Sequence, residues 1–205
     1  RRQRQMCIRD STIGVVEVGD ELAIETLLSP VWREEQAVVG EGIPTGWKRV
    51  NSRKDGTKDE KGSGAANTGG ARLKYFPEGG DFDAGFYLSA RDYDVCDFYF
   101  GSYDGYRLHL LPGQYVLSFN SVYWSAGSEE GKATFDVQVT DGTGKGVWSQ
   151  VGLLSSGCMD EVSTEKVKGS KAHEYVFSIT SEGNYELHFT MSQGWNSIIL
   201  GGIRM

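Results

Sequence analysis

The stretch QYVLSFNSVYW, residues 114–124, decides the fold class. Its period is two. Tyr115, Leu117, Phe119, Ser121 and Tyr123 share one face, and Val116, Ser118, Asn120, Val122 and Trp124 share the other. Successive side chains of an extended chain point to opposite sides, so this alternation reads as a half-buried antiparallel strand. The same pattern recurs downstream. Phe135, Val137 and Val139 alternate with Thr134, Asp136 and Gln138; Tyr175, Phe177 and Ile179 with Glu174, Val176 and Ser178; Tyr185, Leu187 and Phe189 with Glu186, His188 and Thr190. Turn signals separate the runs: Leu-Pro-Gly at 111–113, Asp-Gly at 141–142 and Glu-Gly-Asn at 182–184. Only Glu34 to Val38 hints at a helical period. The expected fold is all-β, a two-sheet antiparallel β-sandwich of jelly-roll type.

Composition agrees. The chain has 28 Gly against 4 Pro and is 12% aromatic, which suits many short strands joined by tight turns. Its 205 residues can build one substantial core. No run approaches the roughly 18 apolar residues of a membrane span. The first eleven residues, RRQRQMCIRDS, stand apart, because they back-translate codon by codon to a sequencing-library adapter ending in a transposon mosaic end. Arg1 to Ser11 is therefore expected to be an adapter-derived artefact, disordered and packed on nothing, with the true N-terminus missing. Without it the remaining 194 residues hold 17 Lys+Arg against 27 Asp+Glu, a net of −10 rather than −7. An acidic body with no Lys/Arg cluster argues against nucleic acid and anionic membrane as partners. Two cysteines remain, Cys96 and Cys158, open to either a disulfide or two inert thiols. Residues 12–20 read as a linker or the end of a lost upstream domain, and 21–205 as the sandwich. Within it 51–70, polar, charged and rich in Gly, reads as a mobile loop.

Several segments resemble one family. LPGQYVLSF (111–119) is similar to the Leu-x-x-Gly-x-x-Tyr-x-Leu-Ser-Phe strand of jelly-roll carbohydrate-binding modules of the family four, nine and twenty-two kind, which are appended to secreted glycoside hydrolases. IPTGW (43–47) resembles their early Pro-x-Gly-Trp element. YVFSIT (175–180), GNYELHF (183–189) and WNSIILGGIRM (195–205) resemble their closing hairpin and final strand. The resemblance implies a secreted or cell-surface module that binds polysaccharide or oligosaccharide without catalysis, beside a catalytic domain in the same parent chain. One departure stands out. The family's final strand often carries an Asp that helps hold calcium, whereas this one reads Leu200-Gly201-Gly202-Ile203. No cofactor is implied with certainty, and a structural calcium is left open.

Sugar recognition needs flat apolar faces for pyranose C–H surfaces and planar polar groups for hydroxyls. The densest supply lies in 86–124, and the expected carbohydrate contacts are Arg91, Tyr99, Tyr103, Tyr106, Arg107, Asn120 and Trp124. Trp47 reads as a core plug rather than a platform, while Trp148 and Trp195 stay open between those roles. The acidic run Asp81, Asp83, Asp92, Asp94, Asp97 and Asp104 lacks calcium-loop spacing and reads as solvated turn carboxylates. Two further readings compete with the binding module. One is a structural or adhesive β-sandwich spacer of a cell-surface protein. The other is a jelly-roll polysaccharide lyase using Arg107, His109 and a nearby Tyr. Motifs for serine or thiol nucleophiles, zinc hydrolysis and phosphate cradles are absent from the sequence.

Overall fold

The computed structural model describes residues 46–61, 71–75, 80–82, 84–90, 93–101, 107–124, 133–155, 167, 169–192 and 197–205. Their regular structure is all β: β1 (Trp47–Ser52), β2 (Lys58–Lys61), β3 (Ala71–Tyr75), β4 (Ala84–Ser89), β5 (Val95–Phe100), β6 (Leu108–Leu110), β7 (Gly113–Trp124), β8 (Thr134–Asp141), β9 (Gly146–Leu154), β10 (Lys171–Ile179), β11 (Gly183–Ser192) and β12 (Ser197–Arg204). They form two antiparallel sheets. The larger runs β2-β1-β5-β11-β8-β9, with β6 also on β11, and the smaller runs β10-β7-β12-β4-β3. The protein is a β-sandwich of jelly-roll type. The adapter-like segment, residues 12–45 and Cys158 lie outside the described residues.

The alternation that marks the strands also builds the core. Phe98, Phe100, Phe135, Val137, Val139, Leu187 and Phe189 of the larger sheet meet Phe86, Leu88, Leu117, Phe119, Phe177, Ile198 and Leu200 of the smaller. Trp47 is the plug its position suggested, stacked 4.7 Å from Phe98 and tilted 4.5 Å from Phe86. Cys96 is a free, buried thiol, and burial pushes its pKa up to about 12. Tyr115 closes the turn before β7 by donating its hydroxyl to Leu111 O and accepting from Leu111 N.

Two local features depart from expectation. Over 51–61 the predicted mobile loop is instead a hairpin, with Val50 opposite Glu60 and Asn51 opposite Asp59. Two ion pairs cross it. Arg49 bonds Asp59 at 2.8 Å, Lys48 bonds Glu60 at 2.7 Å, and Gly56 turns the chain at φ 85°. Composition read these residues as solvated because their partners sit on the adjacent strand. The second departure is on the outer face of the smaller sheet. Gly85 and Gly201 lie opposite each other there, and a Cβ on Gly201 would overlap the Phe82 ring. Phe82 with Val122, Val167, Ile199 and Tyr87 forms a small second core. The glycine at 201 is thus required by packing.

Candidate functional site

The outer face of the larger sheet carries a polar band built by strand register. Lys48 on β1 lies opposite Tyr99 on β5, Tyr99 opposite His188 on β11, and His188 opposite Gln138 on β8. These four form one row across the sheet. A neighbouring row places Asp97 opposite Thr190 and Thr190 opposite Asp136. All are outward positions of strands whose alternate residues fill the core, so the fold that buries Phe98, Leu187 and Phe189 displays these side chains together.

His188 is the centre of the band. Its Nδ1 lies 3.0 Å from Asp97 Oδ2, and its Nε2 lies 3.2 Å from both Glu186 Oε2 and Thr140 Oγ1. Its ring stacks on Tyr99, centroids 4.7 Å apart at 25°. Burial works against the charged imidazole, but the hydrogen bond and charge of Asp97 and the charge of Glu186 outweigh it and raise the pKa. Thr190 donates its hydroxyl to Asp97 at 3.3 Å. Beside them, the hydrogen bond to Glu60 raises the Lys48 pKa, and burial raises that of the Tyr99 hydroxyl. The band continues past Glu186 to His109, whose Nδ1 lies 3.1 Å from Asn184 Oδ1 and whose Nε2 lies 3.2 Å from Glu182 Oε1.

This arrangement can present hydroxyl-binding groups of both polarities, since carboxylates accept, Lys48 donates, and Gln138 and Tyr99 do either. Tyr99 has one ring face already taken by His188. It is therefore poorer as a stacking platform and better as a hydroxyl at the rim. Both His188 nitrogens point at side chains, and among the described residues no group of three His, Cys, Asp or Glu could hold a metal ion. His109 likewise has both nitrogens within hydrogen-bond distance of side chains.

The residues expected from the sequence divide between two surfaces. Tyr99 lies in the band, and Arg107 is exposed just before β6, whose alternation puts it on the same side as His109. Asn120 lies on β7 of the other sheet, facing the opposite side of the sandwich. Trp124 pairs with Ser197 at the end of that strand; its side chain, and Arg91, Tyr103 and Tyr106, lie outside the described residues. Asp97 corrects the reading of the acidic run. It is a mid-strand residue on a histidine, whereas Asp81 and Asp94 do cap turns, accepting from Ser170 N at 2.8 Å and Lys54 N at 2.6 Å. Sequence reasoning missed Lys48, Asp97, Gln138, Glu186 and His188 as a group. The outward alternation of Glu186, His188 and Thr190 was the available signal.

No model of a known protein family matches the chain, and no curated protein matches it. Among solved structures it is similar to the enzymatically active domain of tailspike protein 4 of bacteriophage CBA120, at 12% identity and TM-score 0.43, covering 77% of this chain and 19% of that one. It is similar to the K1 cleaved adhesin domain of Lys-gingipain from Porphyromonas gingivalis W83, at 14% identity and TM-score 0.45, covering 80% and 91%. It is also similar to the CBM22-1 xylan-binding domain of Paenibacillus barcinonensis Xyn10C, at 13% identity and TM-score 0.32, covering 81% and 91%. The chain thus spans about a fifth of the tailspike chain and most of the other two.

Proposed function

We propose that this chain is a non-catalytic carbohydrate-binding module that grips a polysaccharide on the outer face of its larger sheet. In this reading it works at the cell surface or outside the cell and tethers a polysaccharide-degrading catalytic domain of the same parent chain to its glycan. The observation that carries it is the row Lys48–Tyr99–His188–Gln138 flanked by Asp97 and Glu186. An aromatic rim lies among donors and acceptors on a regular sheet, at spacings a sugar chain can follow. Recognition rests on hydrogen bonds to hydroxyls more than on ring stacking, because His188 occupies one face of Tyr99. Arg107 would lengthen the band at one end. Tethering adds avidity by raising the effective concentration of enzyme at the polymer.

Affinity electrophoresis through gels containing xylan, β-glucan, mannan or pectin tests this. Retardation that Tyr99→Ala abolishes and Asn120→Ala retains supports the larger-sheet site. The opposite pattern moves the site to the smaller sheet. Equal mobility on every polymer sinks the reading and favours an adhesive spacer, for which the exposed cross-strand pair Val116 and Val176 offers protein-binding surface. A rise in absorbance near the ultraviolet band of unsaturated uronates, on pectin, would establish a lyase instead.

A further inference from the structure

The histidine at the centre of the band does more than fill it. We propose that His188, as an imidazolium, is the positioning residue that holds Asp97 and Glu186 in one fixed arrangement, so that glycan binding on this face weakens when His188 loses its proton. The inference rests on the glycan-site reading above and specifies how that site is regulated.

The geometry is that of a clamp. One ring nitrogen faces Asp97 at 3.0 Å and the other faces Glu186 at 3.2 Å. The two carboxylates come from different strands, β5 and β11, and the ring stands between them. A protonated ring donates from both nitrogens and satisfies both carboxylates at once. A neutral ring has one N–H, so one carboxylate faces a nitrogen lone pair. That carboxylate is then repelled in a partly buried place, since the side chains of His188, Asp97 and Glu186 are only 15%, 27% and 22% exposed. Thr140 Oγ1, 3.2 Å from Nε2, can donate to that lone pair, but the carboxylate beside it loses its charged donor and its acceptor geometry is no longer fixed.

The other groups facing His188 leave the switch to it. On β5 these are Asp97 and Tyr99, on β11 Glu186 and Thr190, and on β8 Thr140, Gln138 and, one row away, Asp136. Lys48 on β1 lies beyond Tyr99 and is committed to Glu60 of β2 at 2.7 Å. Carboxylic acids titrate below neutrality and amines and phenols above pH 9. Lys48 and Tyr99 are pushed further up still. The histidine is the group of this cluster whose ordinary titration lies nearest neutrality, and its neighbours raise it above 6.5.

The test is titration of binding on the whole chain with neutral arabinoxylan, β-glucan and mannan, whose own charge does not vary. Affinity for the polymer that binds is measured from pH 6 to pH 9, while the His188 ring proton is followed by NMR. Affinity is expected to fall about tenfold across the interval, the size of one charge-assisted hydrogen bond lost, with a midpoint at the NMR midpoint of His188. His188→Gln is expected to bind about tenfold more weakly at pH 6 and to lose the pH dependence. Binding that stays flat while the His188 signal titrates, or a His188→Gln profile that follows wild type, overturns the proposal and leaves the glycan site standing. No binding at any pH to these polymers or to pectin overturns the glycan reading and this proposal with it.

Discussion

Lowering the pH should destabilise this protein through one residue, His173 on β10. The ring is 5% exposed and stacks on Phe119 at 4.7 Å and 15°. Its Nε2 lies 2.8 Å from Ser121 Oγ and its Nδ1 3.3 Å from the Tyr175 hydroxyl, partners that suit a neutral imidazole. Burial, helped by the charge of Lys171, depresses its pKa from 6.5 to about 4. A folded-state pKa below the unfolded value means that the unfolded chain takes up a proton first. The neutral ring therefore costs nothing above pH 6.5, and stability is lost as the pH falls from there toward 4. At about 1.4 kcal/mol per pH unit of displacement, the full loss is about 3.5 kcal/mol, and roughly 2.5 kcal/mol of it is expressed by pH 4.5. That is a large part of the roughly 5–15 kcal/mol that holds a domain folded. The comparison protein is His173→Phe combined with Ser121→Ala, which keeps the stack on Phe119 and removes the hydroxyl the ring would otherwise crowd. Urea unfolding followed by tryptophan fluorescence at pH 7.5 and 4.5 gives both stabilities. The gap between variant and wild type should shift by about 2.5 kcal/mol in favour of the variant on acidification. A gap that stays constant within about 0.5 kcal/mol would refute the assignment of the acid sensitivity to this ring.

His188 should give the opposite trend. Its folded-state pKa is raised, so its stabilisation is present below 6.5 and is lost as the pH rises through the folded value. Melting temperature should therefore decline above neutrality in wild type and stay level in His188→Gln. Asp59→Ala strips Arg49, which is wholly buried, of a 2.8 Å ion-pair partner, and should cost about 3 kcal/mol by urea unfolding; Asp59→Asn, which keeps the shape and loses the charge, should cost less than Ala but more than 1 kcal/mol. Trp47→Ala empties the densest aromatic contact of the core and should cost about 3–5 kcal/mol or prevent folding, read from solubility and the near-ultraviolet circular dichroism spectrum. Cys96 should resist alkylation in the folded protein and react once urea unfolds it, a difference that peptide mass spectrometry reads directly.

Much of the architecture was legible without coordinates. The runs around Phe119, Val137, Phe177 and Leu187 lie on strands β7, β8, β10 and β11, the connections fall at 111–112, 142–145 and 180–182, at or beside the expected turn signals, and Trp47 is core. Alternation is a property of adjacent residues, and a strand that must bury one face writes it into neighbouring positions. Where the rule is local it reads well. It failed over 51–61 because strand pairing there is made by the backbone, with Val50 opposite Glu60 and Asn51 opposite Asp59, while the charged side chains around the turn stay exposed as composition suggests.

The candidate site was legible only in halves. Tyr99 stands out in the sequence as one of the aromatics crowded into 86–124, and His188 and Glu186 as the polar side of a strand. Asp97 was grouped with turn acids, and Asn120 was placed with Tyr99, although they face opposite sides of the sandwich. Asp97 and His188 are 91 positions apart in the chain, and only the pairing of β5 with β11 makes them neighbours. By itself the sequence determined which residues extend, which side of each strand is greasy, and that two sheets must enclose the greasy sides. The tertiary structure decided which outward side chains stand side by side. Strand order and register are chosen by the packing of the whole core, and the residues displayed on the far side of the sheet are carried along by that choice.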